Sequence, residues 1–165
     1  MKGDRSASET AATFPKSRVD TSSNQSLVGF AQAGADAFGY TAQLTLDRDV
    51  AQLLRLRVAQ INNCVYCLSV HYAAAELAEI PDNKVKMLTA WWETGLFTPA
   101  ERAALAYTER LTRAADATSD QSFQNVHDDL VSHFDEQQVI EIIGVVVNMN
   151  VWTRLKLAEG SSPIA

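Results

Sequence analysis

Residues 139–152 constrain the fold most, because they are apolar on nearly every side of the helix that they predict. This last helix is expected to start near Asp135 and to run to about Leu157. Its large apolar residues are Val139, Ile140, Ile142, Ile143, Val145, Val146, Val147, Met149, Val151 and Trp152. A helix that is apolar all round must be enclosed by its own domain or by another subunit. In a chain of 165 residues, we expect part of it to form the interface of a homo-oligomer.

The rest of the chain repeats its apolar residues at helical spacing, and no stretch shows the alternation that a half-buried strand requires. Thr45 or Asp47 is expected to cap one helix at its N-terminus. Thr98 and Glu101 stand at the spacing of a capping box, with a proline between them at the first helical position. We therefore predict an all-α fold of six or seven helices.

Residues 1–24 differ from the rest of the chain in composition. They are rich in Ser, Thr, Ala and charged residues, and after Met1 their only large apolar residues are Phe14 and Val19. A segment with so little apolar surface to bury does not offset the entropy lost on ordering. We predict a flexible N-terminal arm over residues 1–24 and a single helical domain over residues 25–165.

Charge and hydropathy exclude several classes of partner. A net charge of −6 and a pI near 5.0 disfavour binding to nucleic acid or to an anionic membrane surface. The first residues lack the apolar core of a signal peptide, and no stretch has the length of a transmembrane helix. We expect a cytoplasmic protein that binds neither nucleic acid nor membrane. In a reducing compartment, a single Cys-x-x-Cys pair is more often catalytic than structural.

Both cysteines of the chain lie in one short motif, Cys64-Val65-Tyr66-Cys67, and His71 follows four residues later. In a helix that starts near Cys64, the two thiols and the imidazole would share one narrow face. Asn62 or Asn63 is expected to cap this helix. The helix N-terminus favours a thiolate at the first cysteine.

The spacing of the motif suits a two-electron redox cycle. Cys67 can close a short disulfide to Cys64, and His71 can take a proton from Cys67 or hold its thiolate as an imidazolium. Three other interpretations stay open: a zinc site, although a structural site needs four ligands; a structural disulfide; and two core cysteines beside a histidine. Arg55 and Arg57, on the preceding helix, are expected on a solvated or salt-bridged face.

Residues 53–67, with His71, resemble the core of the carboxymuconolactone decarboxylase and alkylhydroperoxidase D superfamily. Residues 101–106 and 150–155 resemble segments of its peroxidase-related branch. The resemblance covers about residues 26–157 and implies an AhpD-like helical domain that forms dimers, trimers or hexamers. It also implies a thiol-dependent peroxidase, without a cofactor or a metal, that reduces hydrogen peroxide or alkyl hydroperoxides. A dithiol or a protein reductant would then reduce the resulting disulfide.

Carried over by position, Cys67 would attack the peroxide, Cys64 would resolve the sulfenic acid, and His71 would transfer the proton. Family members usually carry a relay glutamate twelve residues before the first cysteine, where this chain has Gln52. An amide accepts no proton at neutral pH. Glu141, conspicuous in the apolar last helix, is a candidate substitute. Two alternatives remain: a weakly active redox sensor or relay of the same fold, and a lactone decarboxylase.

Overall fold

The computed structural model describes residues 14–116 and 120–163, and this part of the chain contains seven α-helices and no β-strand. The all-α prediction is therefore confirmed. The helices are α1 (Gln25–Phe38), α2 (Arg48–Ile61), α3 (Val65–Leu77), α4 (Asp82–Met87), α5 (Pro99–Thr112), α6 (Asp120–Val131) and α7 (Glu136–Glu159). Short 3₁₀ turns lie at Thr21–Ser23, Leu88–Glu93 and Ala114–Asp116. None of the helices described has the length and apolar character needed to cross a membrane.

Helix α2 is the centre of the fold and packs against α3, α5 and α7. Of the two predicted caps, Thr45 and Asp47, the N-cap is Asp47, whose carboxylate accepts hydrogen bonds from the amides of Asp49 and Val50. Every residue from position 51 to 59 is buried, so the helix is enclosed on all sides. Arg57 is buried with them, and its Nε donates to Glu109 Oε1 of α5 at 2.7 Å. The expected salt bridge exists, but it lies in the core rather than on a solvated face.

The turn between α2 and α3 places the cysteine motif at a helix start. Asn63 adopts a left-handed φ of 50°, a conformation that asparagine tolerates better than most residues. The backbone therefore reverses within two residues. The N-cap of α3 is Cys64, and its sulfur accepts a hydrogen bond from the Cys67 amide at 3.3 Å. The prediction of an asparagine cap was wrong because Asn62 ends α2 instead, with its side chain bonded to Val58 O and to Asn150 of α7.

Helix α7 runs along one side of α1, α2 and α5. Its inward face supplies Val139, Ile142, Val145, Val146 and Met149 to the core. On the outward face, Ile140 and Val147 are each 49% exposed. The apolar circumference predicted from the sequence is thus only partly covered within one chain, and this outward face underlies the expectation of a homo-oligomer.

Residues 14–23, here called the N-terminal strap, lie against the C-terminal end of α7. The Arg18 amide donates to Glu159 O at 3.0 Å, and Arg18 Nη1 donates to Leu157 O at 2.6 Å. Gly160 ends α7 with a φ of 67°, and a side chain there would collide with Ser17. Phe14 packs edge-on against Tyr66, with ring centroids 4.3 Å apart. The first 13 residues of the predicted arm lie outside the residues described.

Candidate active site

Cys64 and Cys67 lie with their sulfur atoms at disulfide distance and their Cα atoms 5.2 Å apart, within the usual range for a disulfide. The pair is buried, with 1% and 2% of the two residues exposed. Val58, Ala59, Val146 and Met149 enclose it in a small apolar cluster between α2, α3 and α7. Helix α3 therefore presents a buried dithiol/disulfide pair at its N-terminus.

His71 lies one helical turn after Cys67 on the same face of α3. The imidazole is buried, and its Nδ1 lies 2.6 Å from the hydroxyl oxygen of Tyr40. Burial, followed by the positive charge of Arg55, lowers the pKa of His71 to about 3. His71 is therefore neutral near pH 7 and can act as a proton acceptor.

Tyr40, in the loop after α1, is the hydrogen-bond partner of that imidazole. Its ring stacks on the imidazole with centroids 5.4 Å apart. Partial burial raises the pKa of Tyr40 to about 12, with 45% of the residue still exposed, and the nearby Arg55 charge opposes the rise. The phenol is therefore protonated at neutral pH and offers one donor and one acceptor to His71.

The prediction of a solvated or salt-bridged face was wrong for Arg55, because only 5% of the residue is exposed and no carboxylate among the described residues forms an ion pair with it. Its guanidinium lies over the Tyr40 ring, 5.0 Å from the centroid, a distance suited to a cation–π contact. Its Nη2 donates to the carbonyl oxygens of Phe38 and Gly39 at 2.9 and 3.0 Å. Arg55 thus holds the loop that carries Tyr40 against α2.

Gln52 is buried on α2 beside α3, but its side chain is bonded to the backbone. Its Nε2 donates to the carbonyl oxygen of His71 at 3.0 Å. The hydrogen bond joins α2 to the turn of α3 that carries the imidazole. Gln52 therefore fixes the backbone of His71, while Tyr40 contacts the ring.

The Glu141 carboxylate lies in a different hydrogen-bonded cluster. It accepts from the amides of Thr45 and Leu46 at 3.1 and 2.7 Å, from Thr45 Oγ1 at 3.1 Å and from Gln137 Nε2 at 3.1 Å. These contacts tie α7 to the loop before α2. The structure thus pairs Cys64 with Cys67, places His71 one turn further along the same helix and bonds Gln52 to the His71 backbone, whereas the oxygens of Glu141 serve the loop.

Sequence reasoning missed Tyr40 and the site role of Arg55. One sequence signal for Arg55 existed: it follows Gln52 by three residues, so the two side chains share a helix face. Tyr40 has no comparable signal, because 31 residues separate it from His71. In the part of the chain that the structure describes, no group of three or more His, Cys, Asp or Glu residues is arranged to hold a metal ion.

Residues 30–110 match the carboxymuconolactone decarboxylase family. The uncharacterized protein YdfG of Bacillus subtilis is 28% identical over 123 residues, which cover 74% of this chain and 81% of YdfG. The matched stretch contains the Cys-x-x-Cys motif, His71, Tyr40, Gln52 and Arg55.

Solved structures resemble the fold over most of the chain. One is a protein of unknown function from Agrobacterium tumefaciens with a proposed AhpD-type role in antioxidant defence. Its TM-score is 0.73 at 21% identity, over 84% of this chain and 91% of that one. Another, from Ralstonia eutropha JMP134, is an uncharacterized peroxidase-related protein with an alkylhydroperoxidase AhpD core. Its TM-score is 0.70 at 17% identity, over 86% of this chain and 73% of that one. At these identities the likeness shows an AhpD-like fold.

Proposed function

We propose that this chain, which belongs to the carboxymuconolactone decarboxylase family and has an AhpD-like fold, is a thiol-dependent peroxidase. Its substrates are hydrogen peroxide or small alkyl hydroperoxides, and a dithiol or a protein reductant supplies the electrons. The observation that carries the proposal is the buried Cys64–Cys67 pair, with the neutral imidazole of His71 one turn along the same helix.

The reaction begins with Cys67 and His71. The neutral imidazole takes the proton of the Cys67 thiol, and the thiolate attacks one peroxide oxygen. The O–O bond breaks, the alcohol or water leaves with the proton held by His71, and Cys67 becomes a sulfenic acid. The Cys64 sulfur then displaces water from that sulfenic acid, forming the disulfide. Two external thiol groups reduce the disulfide, so each cycle converts one peroxide and one dithiol into alcohol, water and a donor disulfide.

Tyr40 takes the position next to His71 that a relay carboxylate would need. We assign it a positioning role, since its hydroxyl contacts Nδ1 while Gln52 contacts only the backbone of His71. The hydroxyl lies 2.6 Å from Nδ1 and 3.4 Å from Nε2, and this contact restrains the imidazole ring. Arg55, packed over the phenol, keeps the Tyr40 loop in place. This arrangement supplies an anchor for the base without a carboxylate.

Replacing Tyr40 by Phe is expected to slow peroxide-driven disulfide formation about tenfold, a fraction of the roughly 10²–10⁴-fold that a positioned acid–base group contributes. Stopped-flow fluorescence on the reduced protein measures the rate. Ring ¹⁵N shifts of His71 should show a changed tautomer population. Tyr72→Phe, on the exposed side of α3, is the matched control and should behave as wild type.

Gln52→Glu provides the opposing test, because it restores the glutamate usual at this position. It also removes the donor to His71 O and sets a carboxylate against that carbonyl. We therefore expect no gain in rate. A Gln52→Glu enzyme markedly faster than wild type, with Tyr40→Phe unaffected, would transfer the relay to position 52 and overturn the role given to Tyr40.

Steady-state turnover tests the activity itself. Cumene hydroperoxide and dithiothreitol should be consumed together, in equal amounts, by the wild-type protein. Absence of turnover, with a disulfide that still forms and opens, would favour a redox sensor or relay over a peroxidase. Lactone decarboxylation that survives a thiol-blocking reagent would favour a lactone decarboxylase instead.

We also propose that the protein is a homo-oligomer that buries the outward face of α7. Light scattering at micromolar concentration should give a mass above that of one chain. Val147→Glu, at a half-exposed position, should dissociate the assembly and leave a folded monomer. Val146→Glu is the contrasting variant: that residue is fully buried, so the charge should unfold the chain. A monomeric wild type would contradict the proposal.

A further inference from the structure

A cavity of about 270 Å³ opens beside the first cysteine of the motif. It lies where the N-terminal strap, the C-terminal end of α7 and the start of α3 meet. Its lining residues are Ser17, Arg18, Cys64, Val65, Lys156, Leu157, Gly160, Ser161 and Ser162. A volume of this size suits a small molecule rather than a protein loop.

The cavity reaches one sulfur-bearing residue of the pair and not the other. Cys64 is among the residues that line it, whereas Cys67 is not. Both residues are buried in the chain, so a molecule that is to touch the disulfide needs an opening of this kind. A reactant that enters here meets Cys64.

The lining carries positive charge. Lys156 Nζ is paired with Glu159 Oε2 at 2.8 Å, and its charge is largely neutralised. Arg18 bonds to the carbonyl oxygen of Leu157, and among the described residues no carboxylate forms an ion pair with it. The cavity therefore keeps one uncompensated guanidinium in a protein whose net charge is −6, and it attracts an anion.

We propose that this cavity is the binding site for a thiol reductant that carries an anionic group, which Arg18 holds while the thiol sulfur attacks Cys64. That reduction of the Cys64–Cys67 disulfide completes a catalytic cycle rests on the peroxidase function proposed above. The binding and the thiol exchange do not depend on it.

The exchange proceeds in two displacements. The reductant thiolate attacks Cys64 Sγ, a mixed disulfide forms there, and the bond to Cys67 breaks with both electrons leaving on the Cys67 sulfur. A second thiolate, from the same molecule or another one, then attacks the reductant sulfur and releases Cys64 as a thiolate. Cys64 is a good leaving group because it caps α3, where free amides and the helix dipole stabilise a thiolate. The first step frees Cys67, the sulfur assigned to peroxide attack.

The test measures reduction of the wild-type disulfide without peroxide, using three small thiols of different charge. The probes are 2-mercaptoethanesulfonate (anionic), 2-mercaptoethanol (neutral) and cysteamine (cationic). For each thiol the second-order rate constant of Arg18→Glu is divided by that of wild type, which cancels the intrinsic reactivity of the thiol. We expect this ratio to fall about tenfold for the anion, to stay within about twofold of one for the neutral thiol, and to rise for the cation. Arg18→Lys should retain the wild-type pattern.

Lys86→Glu is the matched control, because it makes the same charge change at an exposed position on α4, outside the cavity lining. Equal ratios for all three thiols in Arg18→Glu would overturn the proposal, and so would an identical charge pattern in Lys86→Glu. The point of attack is tested separately with single-cysteine variants and the oxidised dimer of 2-mercaptoethanesulfonate. Cys64, in Cys67→Ser, should form the mixed disulfide faster than Cys67 in Cys64→Ser, and the reverse order would also overturn the proposal. Failure of peroxidase turnover leaves these rates unchanged, so the two proposals fail separately.

Discussion

Cys67→Ser is expected to abolish peroxide consumption, whereas Cys64→Ser should consume about one equivalent and then stop. The first variant lacks the sulfur that attacks the peroxide. The second can form the sulfenic acid on Cys67 but lacks the partner that resolves it. In the wild-type protein, a stoichiometric dose of peroxide should yield the Cys64–Cys67 disulfide within one chain, with no change in oligomeric state.

Single-turnover peroxide assays and peptide mapping by mass spectrometry check these outcomes. A dimedone adduct on Cys67 of the Cys64→Ser variant should identify the sulfenic acid. If Cys64→Ser abolishes peroxide consumption and Cys67→Ser consumes about one equivalent, the roles of the two sulfurs are exchanged. Free thiols in the wild type after the stoichiometric dose, or only intermolecular links, would contradict the redox-pair interpretation altogether.

Glu141→Ala is expected to destabilise the folded protein by about 3 kcal/mol, because it leaves one buried donor and two part-buried donors without an acceptor. These donors are the Thr45 and Leu46 amides and the Thr45 hydroxyl, in the loop that leads into α2. Since α2 is the centre of the fold, the loss should appear in global unfolding. Denaturant titration at equal protomer concentration measures the free energy of unfolding.

The effect should depend on pH in a defined direction. Burial raises the pKa of Glu141, but the hydrogen bonds from Gln137, Thr45 and Leu46 together outweigh it and bring the pKa below its usual value of 4.5. A carboxyl group with a lowered folded-state pKa stabilises the protein above the unfolded-state value and loses that contribution as the pH falls through the folded-state value. The stability difference between wild type and Glu141→Ala should therefore be full at pH 6 and shrink below about pH 4.5.

Two comparisons separate this structural role from a catalytic one. Gln137→Ala removes one exposed donor to the same carboxylate and should cost much less stability. The milder variant Glu141→Gln should retain the wild-type peroxidase rate per folded molecule. A stable Glu141→Gln protein with little activity would instead make Glu141 part of the proton relay.

The local features of the chain could be predicted from the sequence because short-range geometry determines them. Thr98 caps its helix as predicted, Asp47 is one of the two caps predicted for α2, and α7 starts at its cap Asp135, near the predicted position. Each side chain reaches an amide two or three residues ahead. The Cys-x-x-Cys spacing brings two sulfurs within reach across one helical turn. Periodicity likewise predicted the all-α class and the long last helix.

The hydrogen-bond partners of His71 and Glu141 were decided by contacts between elements far apart in the chain. Tyr40 meets His71 across 31 residues, and Glu141 meets Thr45 across 96. Tyr40 and Thr45 lie in the loop between α1 and α2, and the sequence of that loop is compatible with many packings. Neither contact therefore has a local signature. The left-handed turn at Asn63 also made Cys64, rather than an asparagine, the cap of α3. The sequence by itself determined that the Cys64–Cys67 pair and His71 lie on one helix, because their spacing is local. Only the tertiary structure decided that a tyrosine contacts the imidazole and that Glu141 holds a loop, because side-chain burial and hydrogen bonding depend on how whole helices pack.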